Sequence, residues 1–441
     1  MTSSVLDTFM ELKSINPYFV DAWGSPAKVS DENIRDLIAK MGFDASADSA
    51  LIEHYLEQEK KHWLSPLPPV CVFQKNSSYT FDVRLPIDFA AELLVYKITL
   101  EDGSEHNKAI CATDFPLVAT NNISDVEFQC YQVELNIDLP IGYHSLSVYD
   151  QDIEEALSTM SLIVTPSRCY IPEQISQGKK IWGSSVQLYC VKSETNWGMG
   201  DFSDLKTLLL KTKENGGDFI GLNPIHALSP SQPKNASPYS PSSRKWLNVL
   251  YTDITAVDEF IRNKALQTKI NSAEFKQKLI ALRDTEWVDY EKVAVLKLSS
   301  LRELFATLNN DTVESKKRLT AFNQYVEDQG ESLMQQASYD ALESHFLALD
   351  VDSWGWQAWP EAFQAFQNET VQTWIKDNRQ EVFFWCYTQW VAELQLKEAD
   401  QLAKSLDMTL GIYRDLAVGV GINSSEVWAN RSLYCEQISI G

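Results

Sequence analysis

The order of elements between residues 181 and 254 constrains this chain more than any other feature. Ile181–Cys190 is an apolar, strand-like run. A helical segment follows from about Asp204 to Asn215 and stops at Gly216-Gly217. Phe219–Leu222 is then a second buried strand. Strand, helix, strand in that order requires a parallel sheet with a right-handed crossover, because parallel neighbours cannot be joined by a tight turn. A third strand-like run, Met408–Tyr413, comes only after residues 256–408, whose pattern is mostly helical with few turn signals. The spacing predicts an α/β domain interrupted by a large helical insertion.

Upstream the hydrophobic period is two. Tyr131, Val133, Leu135 and Ile137 alternate with Gln132, Glu134 and Asn136, and Tyr79, Phe81, Val83 and Leu85 repeat the pattern. Leu146 and Val148 follow a turn at Pro140-Ile141-Gly142. One buried and one wet face is the signature of antiparallel strands, and several short ones at this spacing predict a β-sandwich over residues 65–167. Residues 1–64 read as helices. Ser30 is the N-cap of one, with Ile34, Leu37, Ile38 and Met41 at helical spacing and Gly42 as its stop. A second runs from about Asp48 to His62. Ser65-Pro66-Leu67-Pro68-Pro69 cannot be helical and serves as a linker. The third region, 168–441, holds the α/β elements, with its helical insertion at about 256–408.

The chain carries 61 acidic against 38 basic residues, a net charge of −23. Such a surface repels phosphate backbones and anionic lipid heads, which excludes nucleic acid and membrane surfaces as expected partners. Seven cysteines, an odd number with no C-x-x-C pair, predict reduced and mostly buried thiols. The opening MTSSVLDTFMELK lacks a basic start and a continuous apolar segment, and no run is long enough to span a bilayer. The expected location is cytoplasmic.

The most specific text follows the first two strands: QLYCVKSETNWGMGDFSDL, then FIGLNPIHALSPSQPKNASPYSPSSRKWLNVLYTDI. Loops rich in Gly, Asn, Pro, Ser and Tyr lie at the strands' C-terminal ends, the face where parallel barrels carry their sites. Trp197, Tyr239 and Trp246 there offer flat apolar faces beside hydroxyls and amides, a combination that suits sugar rings. Six pieces in order resemble the bacterial 4-α-glucanotransferases, the amylomaltases of the α-amylase clan. They are Asn196–Phe202, Gly221–Ala227, Ala236–Arg244, Trp287–Tyr290, Trp354–Glu361 and Gly411–Val420. The similarity runs through nearly the whole chain, N-terminal helices and β-sandwich included.

The resemblance implies a (β/α)8 TIM barrel that transfers α-1,4-glucan segments between maltooligosaccharides, with no metal or organic cofactor. It implies two carboxylates, one that forms a covalent glycosyl-enzyme and one that shuttles the proton. The family nucleophile is the Asp of an Arg-x-Asp-His strand end, and no Asp-His dipeptide occurs among the six histidines. The family acid is the Glu of a strand-end Glu-Asp-x-Gly. Glu327-Asp328-Gln329-Gly330 matches that string but sits inside a helical pattern, and Glu101-Asp102-Gly103 is a hairpin turn. With three candidate strands after residue 180, the expectation is a barrel of which only the first strands and a helical insertion are present. The catalytic carboxylates are then expected beyond Gly441, and the chain is expected to be inactive alone.

By the same resemblance Tyr239 and Ser237 match substrate-cleft positions near the scissile bond. Asp415 lies where the family often places a cleft carboxylate. Trp197 and Asp201 either contact sugar or close the first loop. His226 is read as a hydrogen-bonded loop residue, and the Trp354–Trp359 cluster as packing. Two alternatives stay open beside the enzyme: a non-catalytic glucan-binding module and a plain acidic scaffold.

Overall fold

The computed structural model describes residues 4–151, 154–349 and 355–438. Contacts divide the chain into two units, Met1–Tyr170 and Ile171–Gly441.

The first unit opens with helices α1 (Val5–Leu12), α2 (Asp31–Lys40) and α3 (Asp48–Leu64). Ser30 caps α2 as its sequence predicts, its hydroxyl accepting from the Asn33 N–H at 3.2 Å. Residues 1–64 are not all helical, however. A hairpin, β1 (Tyr18–Val20) and β2 (Pro26–Lys28), separates α1 from α2. Its turn is fixed by the Asp21 carboxylate, which accepts from the N–H groups of Trp23 at 2.9 Å and Ser25 at 2.8 Å. Short polar side chains of this kind compete with helical hydrogen bonding.

Beyond the linker, β3 (Val70–Gln74), β4 (Tyr79–Pro86), β5 (Leu93–Thr99), β6 (Glu105–Cys111), β7 (Leu117–Ile123), β8 (Val126–Leu135), β9 (Gly142–Asp150) and β10 (Ser158–Thr165) form two sheets. Their orders are β3-β10-β9-β5-β6 and β4-β8-β7. In β4 and β8, Phe81 pairs with Val133 and Val83 with Tyr131, so the alternation read from the sequence sets the register. These side chains meet Leu94, Ile98, Leu146, Val148, Leu162 and Val164 in one apolar core. Ile137 lies past the end of β8 yet still packs against that core.

The second unit begins with a single-turn α4 (Glu173–Ser176) and then β11 (Gly183–Val186), α5 (Phe202–Glu214) and β12 (Phe219–Leu222). After β13 (His226–Ala227) and β14 (Ser243–Leu247) come α6 (Lys264–Asn271), α7 (Ala273–Arg283), α8 (Tyr290–Thr307), α9 (Val313–Ala348), α10 (Glu369–Asp377) and α11 (Arg379–Ser405). The chain then returns as β15 (Gly411–Arg414), followed by α12 (Ser425–Ala429). β11, β12 and β15 form a parallel sheet in that order, with Gly183 opposite Phe219 and Phe219 opposite Gly411.

Two strand limits differ from the sequence reading. β11 is shorter than Ile181–Cys190, because Asn223 Oδ1 accepts from the Leu188 N–H at 2.9 Å and Leu188–Cys190 turns as a 3-10 helix. A side chain at Gly183 would meet the Phe219 carbonyl oxygen at 2.1 Å, so only glycine lets these strands pair here. The third strand starts at Gly411 rather than Met408. Asp407 (φ 51°) is left-handed and the Met408 N–H returns to Ala403 O at 3.2 Å, so Met408 belongs to the end of α11.

The insertion packs on a large aromatic core of Phe322, Phe346, Trp356, Trp359, Trp385, Tyr387, Trp390 and Trp428. The expected packing role of the tryptophan cluster holds for Trp356 and Trp359, while Trp354 lies outside the described residues. Gly330 interrupts α9 with φ 55° and ψ −139°, so Glu327-Asp328-Gln329-Gly330 is a helix kink and not a strand end. The cysteines depart from expectation. All are free thiols, but only Cys130 and Cys386 are buried, while Cys169, Cys190 and Cys435 are exposed. Among the described residues no helix is long and apolar enough to cross a membrane.

Candidate functional site

The C-terminal ends of β11, β12 and β15 open into a groove of about 960 Å³. Val186, Leu222, Arg414 and Asp415 line its floor, and Tyr239 stands over it. Position follows from the sheet. The Asp415 N–H donates to Leu222 O at 3.0 Å, which extends the β12–β15 ladder by one bond and fixes the carboxylate just past the strand. Asp415 in turn accepts from the Leu416 N–H at 2.8 Å. The Asp415 carboxylate beside the Tyr239 hydroxyl, more than burial, holds the phenol protonated above its usual range. Tyr239 is 60% exposed, so its ring face remains open to a ligand.

The loop that carries Tyr239 is stitched to the segment after β15. The Gly421 N–H donates to Pro241 O at 3.0 Å, and the Ser425 N–H to Ser242 Oγ at 3.1 Å. Arg244 and Glu426 meet at 2.8 Å, and the Tyr434 hydroxyl donates to the same carboxylate at 2.7 Å. Burial opposes ionisation of Glu426, but the hydrogen bonds from Arg244 and Tyr434 outweigh it and hold the carboxyl below its ordinary range. The Asn423-Ser424-Ser425-Glu426 segment is therefore a clamp on the loop, a role that sequence reading did not assign to it. His226 is half-buried and accepts from the Ala417 N–H at 3.3 Å. Burial, then the neighbouring Arg414 and Arg244, keep its imidazole neutral below the usual histidine range, as an acceptor must be.

The four expected substrate residues separate. Tyr239 and Asp415 share the groove. Ser237, two residues before Tyr239, lines a different cavity beside α9. Trp197 is 2% exposed and packs edge-to-face on Phe275 at 5.1 Å, so it presents no face to a sugar and its expected contact is corrected to packing. Trp246 is likewise buried. Asp201 closes the first loop. It caps α5 by accepting from the N–H groups of Ser203 at 3.0 Å and Asp204 at 3.1 Å, and burial pushes its carboxyl up to about 6. Asp204 returns a bond to the Asp201 N–H at 3.0 Å and accepts from Asn196 Nδ2 at 2.8 Å, so the Asn-Trp-Gly-Met-Gly-Asp text encodes a loop lock.

Sequence reasoning missed Glu343. It is buried on α9, accepts from the Ser229 hydroxyl and from Gln232 Nε2 at 2.9 Å, and lines the cavity that Ser237 also lines. Burial pushes its carboxyl up to about 7. Its signal was available as a Glu on the same helical face as Tyr339, beside the apolar Ala341 and Leu342.

Comparison with known proteins fits this architecture. A model of the MalQ N-terminal beta sandwich domain matches residues 66–166. The 4-alpha-glucanotransferase of Haemophilus influenzae is 36% identical over 307 residues, 69% of this chain and 43% of that protein. That of Mycobacterium tuberculosis is 27% identical over 440 residues, 96% of this chain and 56% of that protein. The crystal structure of amylomaltase from Corynebacterium glutamicum shares the fold with a TM-score of 0.78, at 24% identity over 97% of this chain and 56% of that one. The chain thus spans about half the length of the curated relatives it matches. A model of 4-alpha-glucanotransferases matches residues 186–441, more than half of the sequence, and the chain belongs to that family.

Proposed function

We propose that this chain forms one wall of a glucan cleft in a (β/α)8 barrel that transfers α-1,4-glucan segments between maltooligosaccharides. The observation that carries the reading is the pair of Tyr239 and Asp415 at the C-terminal ends of parallel strands, in one open groove. An exposed phenol ring stacks on the apolar face of a glucosyl unit, and a carboxylate beside it accepts from the ring's hydroxyls. The order of the loops and the family membership support the same substrate class.

Transfer with retention needs two carboxyl groups about 5–5.5 Å apart. Asp415 is the one carboxylate among the described residues lining the groove. The chain as given therefore binds maltodextrin without turning it over. The test incubates it with maltotriose and follows glucose and longer maltodextrins, alongside calorimetric titration. We expect binding without new products, and Tyr239→Ala should weaken binding about tenfold, the loss of about 1.4 kcal/mol of stacking. Robust disproportionation by this chain alone would sink the reading of an incomplete site, and absence of any binding would sink the cleft.

A further inference from the structure

We propose that the helical insertion holds, where α11 begins, a pocket for a small amphipathic carboxylate, its head on Arg379 and its apolar body among three phenylalanines. Helical spacing builds the walls. Phe305 and Leu308 lie at the end of α8, Leu319 and Phe322 share one face of α9, and Arg379 and Phe383 stand one turn apart at the start of α11. Between them lies a cavity of about 310 Å³, within the about 300–1,000 Å³ of small-molecule pockets. Leu308 and Phe322 are buried, so its base is carbon. The Phe322 ring centre stands 6.0 Å from that of Phe383 and 6.3 Å from that of Phe305. The cavity shares no lining residue with the groove of Tyr239 and Asp415 or with the cavity that Ser237 and Glu343 line.

The head group follows from a comparison within the molecule. Four arginines among the described residues lie over aromatic rings. Arg302, over Phe384, donates to both oxygens of Glu381 at 2.7 and 2.6 Å. Arg318, over Trp390, pairs with Glu259 and Asp258. Arg431, over Trp356, pairs with Glu436 at 2.6 Å. Arg379 lies 4.6 Å over Phe383 and makes no hydrogen bond or ion pair among the described residues. No Asp or Glu lines the cavity, in a chain with 61 acidic residues. The carboxylate that the other three arginines find within the chain has to come to Arg379 from outside. Asn309 and Gln380 share the lining with Arg379, and their amides can donate to the same oxygens.

The body follows from the walls. A sugar would strand its hydroxyls against Phe305, Phe322 and Phe383, which costs free energy once water is displaced. A bare anion such as phosphate would leave the carbon walls unfilled, and a void among carbons forfeits dispersion contact. An ammonium meets Arg379 with like charge. A carboxylate carrying an alkyl or phenyl group satisfies the guanidinium and fills the cavity together.

Calorimetric titration of the full chain with octanoate, octan-1-ol and octylammonium tests this. Octanoate should bind about tenfold more tightly than octan-1-ol, the size of a hydrogen bond to a charged group, and octylammonium should not bind. Arg379→Gln, at an exposed position, should weaken octanoate about tenfold at unchanged melting temperature and leave octan-1-ol as it was. Asn309→Ala, also exposed, should weaken octanoate about threefold. Equal affinity for octanoate and octan-1-ol would refute the head-group assignment. Octanoate binding that survives Arg379→Gln undiminished would refute the site. Inorganic phosphate bound as tightly as octanoate, and lost with Arg379→Gln, would overturn the amphipathic class. Absence of octanoate binding to the unmutated chain would overturn the pocket altogether.

Discussion

The two units bury different chemistry. Among the described residues before Tyr170, Arg84 and His144 are the buried polar side chains, and the sandwich core is otherwise aliphatic and aromatic. The second unit buries Asp201, Asp204, Asp218, Glu259, Asp340, Glu343 and Lys297. Lys297 is fully buried and donates to the carbonyls of Leu250 at 2.7 Å and Thr252 at 2.9 Å, holding the turn that follows β14. Glu259 is fully buried and accepts from Arg318 Nε at 2.7 Å and the Tyr387 hydroxyl at 2.9 Å. A buried charge costs several kcal/mol to desolvate and is tolerated only when paired. The sandwich is thus built on area, and the second unit on exact polar partnership. Stability in the first should respond to volume and in the second to charge.

The contrast can be broken most directly at Glu259. Arg318→Met should destabilise the second unit by about 4 kcal/mol, since it leaves a buried carboxylate without its main partner. Of the 13 tryptophans only Trp23 and Trp63 precede Ile171, so tryptophan emission during urea unfolding reports that unit. A loss under 1 kcal/mol would mean that water reaches Glu259 and that the polar core is not sealed. In the sandwich, Leu146→Ala should cost about 3.5 kcal/mol by cavity formation and leave the tryptophan-detected transition in place. Circular dichroism in the β region would follow it, and a shift of both transitions together would erase the distinction between the units.

The subtlest difference is in pH. Glu343 is raised from 4.5 to about 7, so the folded state holds a proton that the unfolded chain has released. Its contribution is full below pH 4.5 and is lost as pH rises to about 7. The decline attributable to Glu343 is at most about 3 kcal/mol for the second unit. Asp201, raised to about 6, adds in the same direction. Glu343→Gln should flatten that slope, as read from urea midpoints at pH 4.5, 5.5 and 7. An unchanged slope would assign the proton elsewhere, with Asp340 the nearest alternative.

What could be read from the sequence follows the same division. The strands of the sandwich were visible because one face is wet and the other dry, so Phe81, Val83 and Val133 announce themselves by alternation. Phe219–Leu222 was visible because it is apolar throughout. The β1–β2 hairpin was not, since its strands are mostly exposed and only the Asp21 turn marks it. In the site, Tyr239 and Asp415 were placed by motif. Trp197 stayed open between sugar contact and loop closure, because a tryptophan in a Gly-rich loop carries no mark of which way it packs. The helical face of Glu343 hints at its burial, but its role was not legible because its partners Ser229 and Gln232 lie more than a hundred residues away, at separations of 114 and 111.

The return of β15 to β12 has a consequence for how the molecule is made. Thr409 donates to Asp218 across a separation of 191 residues, and Lys179 joins the same carboxylate at 2.6 Å. A growing chain at a ribosome therefore exposes β12 with one side unpaired while the whole insertion is still being synthesised. Closing so long a loop from a disordered chain is entropically expensive and slow. A helical insertion that collapses first on the aromatic side chains it carries itself, such as Phe322, Trp385 and Trp390, shortens that search by bringing its two ends together. Synthesis rate through residues 256–408 should then govern the yield of folded protein more strongly than synthesis rate through the sandwich.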